Sequence, residues 1–177
     1  MFALVKNDNS IKLFQAHGLW EDKNGTQYSP DQLLTLTSQQ KQDLGIYDVA
    51  YAASEDDRFY SVVQDEPTFD ATEKIVKVTF ASIPYELEDA GTGIDKVSGL
   101  KSRWISMVNT TANNLLAQTD WMLVRKIERS VDVPSAAAAE RVAIVAESNR
   151  LVIAITAASN ITDFISAVQS ANWSVAQ

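Results

Sequence analysis

Cysteine is absent and histidine occurs once, at position 17, so disulfide staples, thiolate nucleophiles, zinc–cysteine sites, iron–sulfur clusters and clustered histidine metal sites are all excluded. Proline and glycine are sparse, at four and six residues in 177, and no internal repeat or low-complexity tract stands out beyond the short run Ala136 to Ala139. That run needs no more than alanine's high helix propensity. No stretch approaches the roughly 20 apolar residues of a membrane span. The N-terminus, MFALVKNDNS, also lacks a positive segment followed by an apolar core. The expectation is a soluble product made in the cytoplasm, with no membrane partner.

Basic residues are also in deficit, 15 against 23 acidic ones, and the deficit is uneven. Before Ala90 there are 7 basic and 16 acidic residues; after it there are 8 and 7. An acidic half repels a phosphate backbone, and no basic stripe with interleaved aromatics occurs elsewhere, so no nucleic-acid partner is expected. The acidity serves solubility, or it forms a negative face that docks on a basic partner. The length suffices to remove about 70% of the unfolded surface from water, so the chain can fold by itself.

Up to about Phe80, short runs of β-branched and aromatic residues alternate with turn signals, which favours strands. Phe2 to Lys6 and Ile11 to Gln15 flank Asn7-Asp8-Asn9-Ser10 as a first hairpin. Asn24-Gly25 predicts a type I′ turn between Leu19-Trp20 and Gln27-Tyr28. Ser29-Pro30-Asp31 starts one short helix, and Thr37 or Ser38 caps another that Gly45 stops. Ile46 to Ala52, Arg58 to Gln64 and Ile75 to Phe80 complete the strands. The fold class is therefore α+β, with a small antiparallel β-rich domain over 1–83, a glycine-containing acidic linker over 84–99 and a helical hairpin or bundle over 100–177.

In the helical part, Leu100, Trp104, Met107, Val108, Thr111 and Leu115 share one stripe. Thr119-Asp120 marks a start, Pro134 opens a long third helix, and Asn160 caps a last one with Phe164, Ile165 and Val168 as its apolar face. On the third helix Val142, Val145, Val152 and Ile153 share a stripe. Leu151 to Ile155 is apolar on nearly every side, so it is either sandwiched in this subunit or covered by another chain. Trp173 either folds back onto the helices or inserts in a partner.

The inventory offers little to an enzyme. His17 precedes Gly18 with no serine or carboxylate at a recognisable spacing. The clusters Glu55-Asp56-Asp57, Asp65-Glu66 and Glu86-Glu88-Asp89 lack the alternation and central glycine of a calcium loop. Gly91-Thr92-Gly93 lacks the lysine and strand-to-helix setting of a phosphate cradle and reads as a hinge. No catalytic residue, metal site or cofactor is expected.

The stretch Leu115 to Arg141, LLAQTDWMLVRKIERSVDVPSAAAAER, is the most specific part of the chain. Read from its residues, Thr119, Asp120 and Trp121 are either an N-cap with a core anchor for a helical hairpin or a surface for a partner. The positions Gly99, Leu100, Lys101, Leu115, Leu116, Thr119, Asp120, Trp121, Arg125, Glu128, Pro134 and Arg141 form a pattern similar to the C-terminal segment of bacteriophage tail assembly chaperones and tail fibre assembly proteins. The likeness covers about a third of the chain. It departs at Glu140, where that family usually has an aromatic, and at Val145, where it often has a basic residue.

What the resemblance implies is a non-enzymatic phage tail protein that binds tail fibre or baseplate proteins as an adaptor or structural subunit. The alternative is a transient assembly chaperone absent from the mature virion. Either protein would be made in the host cytoplasm, and the first would reside in the virion tail. The residues expected to meet a partner are Trp121, Arg125, Leu151, Ile155 and Trp173, with a second copy of the chain as a further potential partner.

Overall fold

In the computed structural model, residues 1–173 are described, and the chain divides into two compact units, Met1–Ile83 and the part from Pro84 onward. The class is α+β: an N-terminal region of mainly antiparallel strands is followed by C-terminal helices.

The first unit starts with the expected hairpin. Strands β1 (Phe2–Val5) and β2 (Ile11–Phe14) pair antiparallel from Phe2↔Phe14 to Val5↔Ile11. Strands β3 (Trp20–Glu21) and β4 (Gln27–Tyr28) form a second hairpin, but its turn is not the two-residue type I′. Asp22 lies nearly buried in a wider loop, where its Oδ1 accepts from the backbone N–H groups of Asn24 and Thr26 at 2.8 and 2.9 Å. Gly25 is the residue of this loop with positive φ, +85°. One carboxylate thus replaces the backbone geometry that a tighter turn would need.

Helices α1 (Pro30–Thr35) and α2 (Ser38–Asp43) follow, the second held by a capping box in which Gln40 N–H donates to Thr37 Oγ1 and Thr37 N–H donates to Gln40 Oε1. Gly45, at φ +84°, then turns the chain into β5 (Ile46–Tyr51). A Cβ there would lie 2.7 Å from the Val5 carbonyl oxygen, so the close approach as well as the φ requires glycine.

Strands β6 (Tyr60–Gln64), β7 (Thr68–Asp70), β8 (Ile75–Val78) and β9 (Phe80–Pro84) complete the unit. The main sheet runs β2-β1-β5-β8-β7, while β6 and β9 pair separately. Two details differ from the sequence reading. The run Ile75 to Phe80 is broken at Thr79, whose hydroxyl donates to Asp65 Oδ2, so its two ends serve different sheets. And β5 pairs with β8 in parallel, while β7, too short to stand out in the sequence, takes the edge beside β8 and runs antiparallel to it. The core gathers Leu4, Trp20, Leu33 and Ile46, with Trp20 stacked on Tyr28 at 4.4 Å.

In the second unit, residues 84–99 are folded in rather than serving as a bare linker. Ala90 and Val97 form an antiparallel bridge around a 3-10 turn at Gly93–Asp95, and the backbone N–H groups of Leu100 and Lys101 donate to Glu86 and Leu87. Helix α3 (Leu100–Ala117) leads through a tight turn to α4 (Asp120–Arg129), which ends on Ser130 in the left-handed region at φ +54°. Helices α5 (Ser135–Ala157) and α6 (Ile161–Gln169) follow, the latter capped by the Asn160 side chain accepting from Asp163 N–H.

The core of this unit forms where α3, α5 and α6 meet, with Leu100, Val108, Ala112, Ile144, Leu151, Ile155 and Phe164 buried. On α5 the buried positions are Ile144, Ser148, Leu151 and Ile155, spaced at helical intervals. The stripe expected from the sequence lies elsewhere on this helix: Val142 and Ile153 are 70% and 69% exposed. Met107, expected on the apolar stripe of α3, is exposed as well, while Ala112 takes a place in the core.

Candidate partner-binding site

The turn between α3 and α4 is assembled by one arginine of α5. Arg141 Nη1 donates to the Leu116 carbonyl oxygen at 2.8 Å and to Thr119 Oγ1 at 2.7 Å, and its Nη2 lies 2.9 Å from Asp120 Oδ1. The Leu116 carbonyl already accepts from Thr119 N–H at 3.0 Å, so the guanidinium adds a further, charged donor to the end of α3 while neutralising the first carboxylate of the next helix. Thr119 therefore does not use its side chain as an N-cap. Its hydroxyl donates to Leu116 O at 3.2 Å and accepts from Arg141. Residues 116, 119, 120 and 141, separated by up to 25 positions in sequence, converge on a single polar joint.

Trp121, the third residue of the motif, is not a core anchor: it is 53% exposed. The Arg125 guanidinium lies over its ring, 4.9 Å from the centroid, one helical turn further on. The Arg125 Nε is buried without a hydrogen-bond partner. No side chain of α4 is buried. Leu123, Val124 and Ile127 are exposed with Trp121, Ile127 at 85%. At 100° per residue these four occupy one arc of about 160°, which Asp120 and Glu128 share, while the half-buried Met122 and Arg125 lie outside it. An amphipathic helix normally turns such an arc inward; this one turns it to solvent.

The remaining expected contact residues have other surroundings. Leu151 and Ile155 are 1% and 0% exposed, so they belong to the subunit core and are not surface residues; Ile153 is the outward member of that segment. Trp173 is folded back and packs with Leu115 and Leu116 against Ala112 and Ile144. Asn172 N–H donates to Glu147 Oε1 at 2.7 Å, and Arg150 Nη2 donates to Ser170 O at 2.9 Å, which fixes the chain leading to Trp173. Beneath it, Trp104, Val108, Leu151, Ile155 and Val168 line a small apolar cavity of about 100 Å³. Of the five residues, then, only Trp121 and Arg125 lie together at the surface. Val124, Ile127 and Leu123, which complete their patch, were not picked out from the sequence, although their spacing relative to Trp121 is visible in it.

His17, Asp56 and Asp89 are each engaged in local structure. His17 shares a hydrogen bond with Gln15, and Asp56 is bound by Arg58. The hydrogen bond from Lys77 holds the pKa of the Asp70 carboxyl down to about 2, and Asp70 with Glu73 pushes that of Lys77 up to about 12. Asp89 is held down to about 2 by Lys96, Ser102 and the Gly99 N–H. Among the described residues, no three His, Asp or Glu side chains are grouped to hold a metal, and no helix is long and apolar enough to cross a membrane. Comparison with known proteins finds no matching family model, no matching curated protein and no matching solved structure.

Proposed function

We propose that this chain is a non-enzymatic phage tail protein that binds tail fibre or baseplate proteins and acts as an adaptor or structural subunit. The observation that carries the reading is the exposed apolar arc of α4, on the helix that also carries Asp120, Trp121, Arg125 and Glu128 of the pattern resembling tail assembly proteins. A short helix in isolation is marginal in water, so one that buries none of its own side chains depends on its joint and on whatever covers its apolar side. The Arg141 joint supplies the first requirement. A neighbouring tail protein supplies the second.

The test is quantitative mass spectrometry of purified particles against the lysate of infected cells. The chain is expected in particles at a fixed ratio to other tail proteins. Abundance in lysate with absence from particles would replace the adaptor by a transient assembly chaperone, and absence from any phage or prophage host would remove both.

A further inference from the structure

We infer that α4 receives an acidic amphipathic segment of its partner, with apolar side chains on the Trp121–Ile127 arc and a carboxylate on Arg125. This inference rests on the partner-binding reading above and specifies the chemistry of its site. Two observations carry it, one of area and one of charge.

Trp121, Leu123, Val124 and Ile127 together expose on the order of 400 Å², taking side-chain areas of the usual size. That equals the largest apolar patch of an ordinary monomer. It is also about half of the roughly 800 Å² that each side of a stable specific interface contributes. An interface through this arc alone therefore falls short whatever covers it, and polar contacts must complete it.

The charges flanking the arc decide which contacts these are. Asp120 is already paired with Arg141, and Lys126 with Asp132. Among the described residues, Arg125 has the Trp121 ring as its recorded contact, and Arg129, one turn beyond it, has no ion pair. Glu128, the one acidic side chain of α4 outside these pairs, falls within the arc next to Trp121, and the two arginines lie beyond Trp121 on the other side. The helix thus presents a cationic ridge, Arg125 and Arg129, beside the apolar arc. A guanidinium held over an indole loses part of its freedom before a partner arrives, and its fork of donors favours a carboxylate over a bulk counterion.

The test uses the full chain and three labelled helical peptides that share a leucine face and carry glutamates, glutamines or lysines on the other. Fluorescence anisotropy should show binding of the glutamate peptide, binding about tenfold or more weaker for the glutamine peptide, and none for the lysine peptide. Arg125→Gln should reduce the glutamate peptide to the level of the glutamine peptide and leave the latter unchanged, with Arg129→Gln as the second variant. Helical circular dichroism is expected to be unaffected, because neither side chain is in the core.

Equal binding of glutamate and glutamine peptides, or no binding of either, overturns the inference. So does self-association of the chain that Ile127→Glu abolishes, which would make a second copy the occupant. Because the peptides report on the purified chain and the particle census on the virion, either claim can fail while the other stands.

Discussion

Replacing Trp121 and Phe164 by alanine separates surface from core within one unit. Phe164 is fully buried, with its ring edge-on to Trp104 at 6.3 Å, so Phe164→Ala leaves a cavity and should cost about 3–5 kcal/mol. Trp121 keeps roughly half its area covered, about 100 Å², which at about 25 cal/mol per Å² sets a ceiling of about 2.5 kcal/mol. Part of that cover is lent by neighbours on α4 such as Arg125 and persists in a compact unfolded chain, and truncation at the surface leaves no void. About 1 kcal/mol is therefore expected for Trp121→Ala, including the lost contact with the guanidinium. Thermal and urea unfolding followed by helical circular dichroism would report a Tm shift of about 4–8 °C for Trp121→Ala and one several times larger for Phe164→Ala. Equal losses would refute the placement of Trp121 at the surface.

Arg141→Met should cost about 1–3 kcal/mol, since it removes two charge-assisted hydrogen bonds, to Leu116 O and Thr119 Oγ1, and leaves Asp120 without its cation, although Leu116 O keeps the Thr119 N–H; hydrogen exchange should show α4 losing protection before α3 and α5. On α5, Ile144→Ala should destabilise by about 2–5 kcal/mol and Ile153→Thr by less than about 0.5, a contrast that denaturant titration measures directly. Gly99→Ala should destabilise although the backbone φ there is ordinary, because the new Cβ would meet the Glu88 carbonyl oxygen at a separation no real contact shows; a lowered Tm of the helical signal checks it. Asp89 has a depressed pKa in the folded chain, so its contribution is present above the unfolded value near 4 and is lost as pH falls toward about 2. Acid titration of the helical signal should accordingly be shallower over that window in Asp89→Asn.

Features decided by a few neighbouring residues were legible in the sequence. The β1–β2 hairpin, the Thr37 and Asn160 caps and the Gly45 stop each depend on local side chain to backbone chemistry. Long-range choices were less so. The parallel pairing of β5 with β8 joins residues some 27 positions apart, such as Val49 and Val76, and nothing local in Ile75 to Val78 encodes its direction. On α5 the apolar residues encircle the helix, so Val142 and Ile153 have the same claim to the core as Ile144 and Ile155 until α3 and α6 choose a side. Ala112 and Ser148 were passed over because small and polar residues do not stand out in a hydrophobic pattern, although they are buried on α3 and α5. At the candidate site, Trp121 and Arg125 were legible as a pair. That the indole faces outward was not, because tryptophan ordinarily signals burial and the Arg141 joint that holds the start of α4 forms across 22 positions of sequence.

Hydroxyl-radical footprinting of the free chain and of purified tail particles tests the exposed α4 surface most directly. Trp121 and Ile127 should oxidise readily in the free chain and become protected in the particle, while Phe164 stays protected in both. Protection of Trp121 and Ile127 already in the free chain, or equal reactivity in both states, would contradict the assignment of this helix face to a partner.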